Sequence, residues 1–374
     1  MSLRTLAHAE RDAYLETLKD LVSLESPTSD KTANDKLADH LQSLLSADGW
    51  QVERVPQPEV GDQLIARMDV GGDTSTLILA HFDTVWPVGT LGEMPLKEAD
   101  GKLYGPGVLD MKAGIATAVH ALKIARREGI ELNGPVTLLL TTDEEKGSHH
   151  SRDLIETEAK GHDRVLVLEP GTDAGALKKG RKGIGDFAVT FRGHSAHAGN
   201  NPRDGASALR ELAQFLFFAE DLTDHNVGTT VNLTVAAGGS VTNVISETAT
   251  AKLDMRAAKL SEAERVEAAL KGYQPKDERV TVTVEGGVNR PPMEFTEGNK
   301  TLFAELKAVM QREDIELEAD IVGGGSDGNF TSALGVPTLD GLGSSGTGPH
   351  ARIEHIRIDE TLDRLALVTG LLVK

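Results

Sequence analysis

The stretch Thr76-Leu-Ile-Leu-Ala-His-Phe-Asp83 sets four apolar residues directly before a histidine and an aspartate. A short apolar run of this kind reads as a strand buried on both faces. Polar groups just past its carboxyl end stand where open α/β sheets collect their ligands. The pattern recurs twice. Val136 to Leu140 leads through Thr141 and Thr142 to Glu144 and Glu145, and Val165 to Leu168 leads to Glu169. Between the first two runs, Ile115, Val119 and Leu122 recur at helical spacing over Met111 to Arg127, with Asp110 at the expected helix start. Further upstream, Tyr14, Leu15, Leu18, Leu21 and Val22, then Leu37, Leu41, Leu44 and Leu45, mark two amphipathic segments. Strands alternating with helices predict the α/β class, a mixed sheet flanked by helices.

From about 176 to 287 the order changes. Strands are expected over Phe187 to Phe191, Thr229 to Ala236, Thr248 to Ala257 and Val280 to Val284, with helices over Ala206 to Asp221 and Ser261 to Tyr273. That order, β-α-β-β-α-β, predicts an inserted ferredoxin-like domain. After Pro291 and Pro292 the α/β pattern resumes with a helix over Lys300 to Gln311, a glycine-rich loop, a strand and a last helix. The expected division is a discontinuous catalytic domain, 1–175 and 288–374, interrupted by a lid domain, 176–287.

Composition narrows the chemistry. With 39 Lys+Arg against 58 Asp+Glu, the net charge of -19 repels phosphate backbones and anionic lipid, so neither nucleic acid nor a membrane is an expected partner. No apolar run approaches the roughly 20 residues that span a bilayer. Met1 to Asp20 carries His8, Glu10, Arg11, Asp12 and Glu16, an amphipathic pattern and not the apolar centre of a signal peptide, which gives a cytoplasmic expectation. The chain holds no cysteine, so a metal must be held by His, Asp and Glu.

One histidine and several carboxylates without thiolate suit zinc in a hydrolytic site, and two ions held close together need a bridging carboxylate. Adjacent glutamates serve two needs, because one side chain can bind metal while its neighbour takes the proton of an activated water. Asp83, two residues past His81 on a strand end, points the same way and can orient the imidazole. His350 joins from another context, after the flexible Gly341-Leu-Gly-Ser-Ser-Gly-Thr-Gly348. Cobalt or manganese fits such a donor set as well as zinc does.

At these residues the chain resembles the two-zinc amidohydrolases that include glutamate carboxypeptidases, aminoacylases, acetylornithine deacetylase and certain dipeptidases. The matching segments are His81-Phe-Asp-Thr-Val85, Gly105-Pro-Gly-Val-Leu-Asp110-Met-Lys, Thr142-Asp-Glu-Glu-Lys-Gly147, Leu168-Glu-Pro170, Gly193-His-Ser-Ala-His-Ala-Gly199 and Gly323-Gly-Gly-Ser-Asp327. The resemblance runs from the first helix to the last. It is nearest to the carboxypeptidase G branch over Asp143-Glu-Glu-Lys-Gly-Ser148 and Ser151-Arg-Asp-Leu-Ile155. It implies a zinc-exopeptidase fold with two zincs per subunit, Asp110 bridging them, His81 and Glu169 completing one site, and Glu145 and His350 the other. Glu144 is implied as general base and then acid, with Asp83 holding His81. His197 is implied to cross a dimer interface formed by the lid and to polarise the scissile carbonyl in the partner subunit. Asn243, Arg256 and Arg290 are implied to grip a substrate carboxylate, and Gly325 to face the substrate backbone.

The implied substrate is a small peptide or N-acyl amino acid with a free carboxylate. A glutamate carboxypeptidase-like activity leads, an N-acyl-amino-acid deacylase is the alternative, and a catalytically silent binding protein on the same fold is a third reading. Taken singly, each residue has a plainer role: Asp110 as a helix cap, Glu144-Glu145 as a solvated face, His81 as a core histidine, Arg256 and Arg290 as ion-pair partners. His149 and His150 read as rim residues. His197 is preferred to His194 because it stands before Ala-Gly, and His350 to His355 because it ends the glycine loop and precedes Glu354 by four. Ala113 stands where the family often has Gly, and Asn200-Asn-Pro-Arg203 is more polar than the family pattern.

Overall fold

A computed structural model describes residues 1–374. The chain forms two compact units: Met1–Gly180 with Phe295–Val322 and Ser326–Lys374, and Arg181–Glu294 with Gly323–Gly325.

The first unit is built on the strand Thr76–His81, whose six residues are all buried. Its neighbours run parallel: Val136–Thr141 on one side and Arg164–Val167 on the other, with Thr338–Leu339 beyond. Gln63–Met68 and Gln51–Val55 extend the sheet antiparallel past Val136–Thr141, making it six-stranded and mixed. Alternation along the central strand covers both faces, since successive side chains point opposite ways. Ile78 and Ala80 join the core that holds Ile115, Val119 and Leu365, whereas Leu77 and Leu79 join Ile155, Ala159 and Phe330.

The helix expected from Met111 begins two residues later, at Ala113–Arg127. Asp110 (φ −116°, ψ 96°) and Met111 (φ −131°, ψ 37°) have non-helical backbone, so Asp110 is not a helix cap. A small four-stranded sheet pairs Lys102–Tyr104 with His355–Arg357. That pairing brings the loop after Tyr104, which leads to Asp110, beside the loop before His355, which carries His350.

The second unit is a four-stranded antiparallel sheet ordered Thr230–Gly238, Thr248–Ala257, Gly183–Arg192, Thr281–Arg290. Phe187, Val189 and Phe191 alternate inward against Phe215 of helix Ala208–Glu220 and against Val266 and Leu270 of helix Leu260–Lys271. This is the ferredoxin-like order. The last strand runs to Arg290, well past the expected Val284, because the ladder with Gly183–Arg192 continues through Gly286 and Gly287. Gly286 has φ +94°, and an added Cβ would lie 2.1 Å from the Asp186 carbonyl oxygen, so only glycine carries the strand through.

Two other glycines fix a strand end of the first unit. A Cβ on Gly114 would stand 2.1 Å from the Leu168 carbonyl oxygen, and one on Gly343 would stand 1.8 Å from it. The chain carrying Glu169 is therefore wedged between helix Ala113–Arg127 and the glycine-rich loop. Gly114→Ala is expected to destabilise the protein by about 1–3 kcal/mol, as overpacking does, with a lower thermal midpoint. Gly92→Ala, where an added Cβ meets nothing within 4 Å, is the control and is expected to leave the midpoint unmoved.

Candidate metal centre

The first unit brings seven of the expected residues into one cluster, five of them at or just past strand carboxyl ends and two, Asp110 and His350, on loops. His81 ends the central strand and is 2% exposed. Its Nδ1 lies 3.0 Å from the backbone carbonyl of Asp83 and 3.3 Å from the Asp83 carboxylate, so the carbonyl is the nearer orienting partner. The Asp83 carboxylate accepts from Thr28 Oγ1 at 2.7 Å and from the amides of Glu144 and Glu145, each at 3.3 Å. One buried acid thus holds both the imidazole and the Glu144–Glu145 turn.

On the other side of the ring, His81 Nε2 stands 3.5 Å from Asp110 Oδ1 and 3.4 Å from Glu169 Oε1. That nitrogen is buried and has no hydrogen-bond partner. The second Asp110 oxygen, Oδ2, lies 3.3 Å from His350 Nε2, which is 3.0 Å from Glu145 Oε2. Two groups result, His81–Asp110–Glu169 and Asp110–Glu145–His350, with all ligand atoms of each within 4.8 Å of one another. Zinc bonds of 2.0–2.1 Å in tetrahedral array place neighbouring donors about 3.3 Å apart. The separations found here are of that size, and the donor set contains only nitrogen and carboxylate oxygen. The residues fit a pair of divalent ions sharing Asp110. Glu144 belongs to neither group, yet its Oε2 is 4.0 Å from His81 Nε2.

Electrostatics agree. Two like charges 4 Å apart repel by about 4 kcal/mol at the effective dielectric near a protein surface. Asp110, Glu144, Glu145 and Glu169 therefore need positive charge among them. Burial alone would lower the His81 pKa, but Asp110, Asp83 and Glu169 raise it well above the ordinary value. His350 is pushed up to about 11 by its contacts with Asp110 and Glu145. Burial pushes Glu145 up to about 7, helped by the Asp110 charge.

His350 sits at φ +59° in the turn after Gly348. His355 is elsewhere: its Nδ1 faces the Ile353 carbonyl at 2.8 Å and its ring lies 4.9 Å from that of Tyr104. His149 and His150 are exposed. Reading the sequence missed Thr28, whose hydroxyl fixes Asp83, and the hold of Ser148 and Thr141 on buried Asp327, which steadies the turn after Glu145.

The second unit holds His197, Asn243, Arg256, Arg290 and Gly325. His197 is exposed, and its Nδ1 accepts from the amides of Gly199 (3.1 Å) and Asn200 (3.0 Å). An imidazole whose Nδ1 accepts carries its proton on Nε2, leaving that nitrogen as an outward donor. Asn243 is also exposed, and its carbonyl accepts from Ala198 at 2.9 Å. Arg256 is paired with Asp254 at 2.8 Å. Arg290 is buried, and Gly325 lies against it: a Cβ there would meet Ile184 Cδ1 at 2.7 Å and Arg290 Cδ at 3.0 Å.

Comparison with known proteins places the chain in a family. The profile of Peptidase family M20/M25/M40 matches residues 77–374. The chain belongs to this family. It is 33% identical over 377 residues to carboxypeptidase G2 of Pseudomonas sp. (strain RS-16), covering 97% of this chain and 89% of that protein. It is 30% identical over 249 residues to acetylornithine deacetylase of Myxococcus xanthus, covering 61% of this chain and 63% of that one. Among solved structures, aminopeptidase PepT from Bacillus cereus shares the fold with a TM-score of 0.81 at 21% identity, covering 97% of this chain and 98% of its own. The M20 chain is thus a hydrolase of the metallopeptidase and amidohydrolase kind.

The contacts with Asp110 and Glu145 that push the His350 pKa up favour its protonated form, so an ion entering its site must displace a proton. Apparent metal affinity is therefore expected to rise with pH from about 6 to about 8. Calorimetric titration in buffers of different ionisation enthalpy is expected to show at least one proton released for the pair of ions. Uptake with no proton release would contradict the ligand set.

Proposed function

We propose that this M20 chain is a two-zinc exopeptidase of the glutamate carboxypeptidase kind, cutting an amide bond beside a free carboxylate. The observation that carries the proposal is the pair of ligand groups sharing Asp110, with Glu144 part of neither and its carboxylate 4.0 Å from His81 Nε2 of the first group. His81 and Glu169 would hold one ion, Glu145 and His350 the other, and Asp110 would be shared between them. Zinc is the metal best suited to an all-His and carboxylate set in a hydrolase, and cobalt or manganese fits the same donors. Bound ions would supply Lewis acidity to the scissile carbonyl and acidify the attacking water.

The chain's own residues divide the remaining work. Glu144 takes the proton of the attacking water and then delivers it to the leaving amine nitrogen, so one carboxylate serves as base and acid in turn. Asp83 fixes Glu144 through its backbone amide and fixes His81 through Nδ1. His197, with its proton held on Nε2, donates to the carbonyl oxygen of the substrate bound in the partner subunit of a homodimer joined through the second unit. Asn243, Arg256 and Arg290 hold the free carboxylate, for which guanidinium forks are well shaped, and Gly325 faces the substrate backbone. The substrate is a small peptide or N-acyl amino acid. Nucleic acid and membrane are not partners of so acidic a chain, and no helix is long and apolar enough to cross a membrane. A cytoplasmic location goes with this reading.

The relative named acetylornithine deacetylase favours a second reading, deacylation of an N-acyl amino acid by the same centre. A release assay on pteroyl-glutamate, N-benzoyl-glutamate and N-acetyl-glutamate, with N-acetylornithine and an aspartate series, separates the two. Fastest turnover on the bulky glutamate conjugates is expected, and preference for N-acetylornithine would overturn the carboxypeptidase reading.

Glu144→Ala is expected to keep both ions and lose at least about 10²–10⁴ in kcat, the usual contribution of a positioned base. Near-normal turnover would refute its role. Mixing Glu144→Ala with His197→Ala subunits is expected to restore part of the activity, because a mixed dimer holds one site with both groups intact. Absence of rescue would remove the cross-subunit assignment.

A further inference from the structure

Glu354 is fully buried and lies outside both ligand groups. Its carboxylate accepts four N–H donors. Oε1 takes the amides of Leu109 (3.0 Å) and Asp110 (3.2 Å), and Oε2 takes the amide of Gly107 (3.0 Å) and the indole Nε1 of Trp86 (2.7 Å). A single carboxylate thus wraps the loop that presents the shared ligand Asp110. Its own backbone closes the other loop: the Glu354 amide donates to Ala351 at 2.9 Å, the Ala351 amide to Gly348 at 3.0 Å, and His350 stands inside that turn. The Glu354 carbonyl also accepts from the Gly105 amide at 3.3 Å. The buried ammonium of Lys112 lies within its electrostatic reach.

We propose that Glu354 is the positioning residue that sets Asp110 against His350, and that its bond to Trp86 makes this indole a reporter of metal binding. The proposal rests on the two-ion reading given above. Two ligands 240 residues apart in sequence must meet to within the width of one ion (His350 minus Asp110 in numbering). The loops bearing them have little regular structure of their own, and Glu354 joins them, its carboxylate on the Asp110 loop and its backbone amide on the His350 turn. Partners that fix ligands in this way are typically worth about ten- to a hundredfold in metal affinity. A carboxylate suits four converging N–H groups because it offers lone pairs on both oxygens. A carboxamide would turn an NH2 toward two of those donors.

The test is a zinc titration of the full-length protein, stripped of metal, against a competing chromophoric chelator. It compares wild type, Glu354→Gln and Trp86→Phe, with apoprotein thermal midpoints measured alongside. Wild type is expected to take two equivalents, and Glu354→Gln to bind at least about tenfold more weakly while its apoprotein still melts cooperatively near the wild-type midpoint. The emission of Trp86, isolated as wild type minus Trp86→Phe, is expected to shift on adding zinc, and the shift to vanish in Glu354→Gln.

Unchanged zinc affinity in Glu354→Gln, or a Trp86 signal blind to zinc in wild type, overturns the proposal. Should Glu354→Gln fail to fold, Glu354→Asp keeps the charge and shortens the reach. It is expected to weaken zinc binding about tenfold, and wild-type affinity there overturns the proposal equally. A wild type that takes up no ion sinks the two-ion reading and this inference with it. Two ions in wild type with an indistinguishable Glu354→Gln sink this inference alone.

Discussion

Carboxylates crowd together only where positive charge holds them, and the shared Asp110 is where that constraint bears hardest. Its two oxygens face different histidines, His81 and His350, at 3.5 and 3.3 Å. Each histidine is backed by a further carboxylate, Glu169 or Glu145. The surrounding carboxylates raise both imidazole pKa values, and the buried His81 Nε2 nevertheless has no hydrogen-bond partner. A divalent ion in each group would supply more charge at the same distances. It would also account for a buried nitrogen aimed at two carboxylate oxygens, 3.4 and 3.5 Å away.

The rest of the first unit serves that meeting point. Parallel strands deliver His81, the Glu144–Glu145 turn and Glu169 from one edge of the sheet, and their apolar residues anchor them in two cores. Gly114 and Gly343 let a helix and a loop close on the Leu168 carbonyl, so Glu169 has little room to move. Asp83 and Glu354, neither in a ligand group, each tie together two of the segments that bring ligands. Rigidity of this kind is what a centre needs if its acids are to stay close before an ion arrives.

Much of this arrangement was legible in the sequence because it is local. An apolar run followed at once by His81 or Glu169, or within a few residues by Glu144, states both the strand and the position of the polar group, and the order of elements in the second unit follows from alternation. The illegible parts are those set by distant contacts. Nothing near Glu354 in sequence announces four donors from Trp86 and the Gly107–Asp110 loop, more than 240 residues away. The helix start shifted from Met111 to Ala113 because Asp110 and Met111 have non-helical backbone, the Leu109 and Asp110 amides being bonded to the Glu354 carboxylate, although the apolar spacing reads as helix. The last strand of the second unit outran its apolar pattern because Gly286 and Gly287 carry a ladder with no apolar side chains to signal it.

The central claim is that two ions share Asp110. Anomalous diffraction at the zinc edge, from crystals of the zinc-loaded protein, tests it most directly. Two peaks about 3.5–4 Å apart are predicted on either side of the Asp110 carboxylate, one beside His81 and Glu169 and the other beside Glu145 and His350. A single peak, or two peaks that do not flank Asp110, would contradict the account.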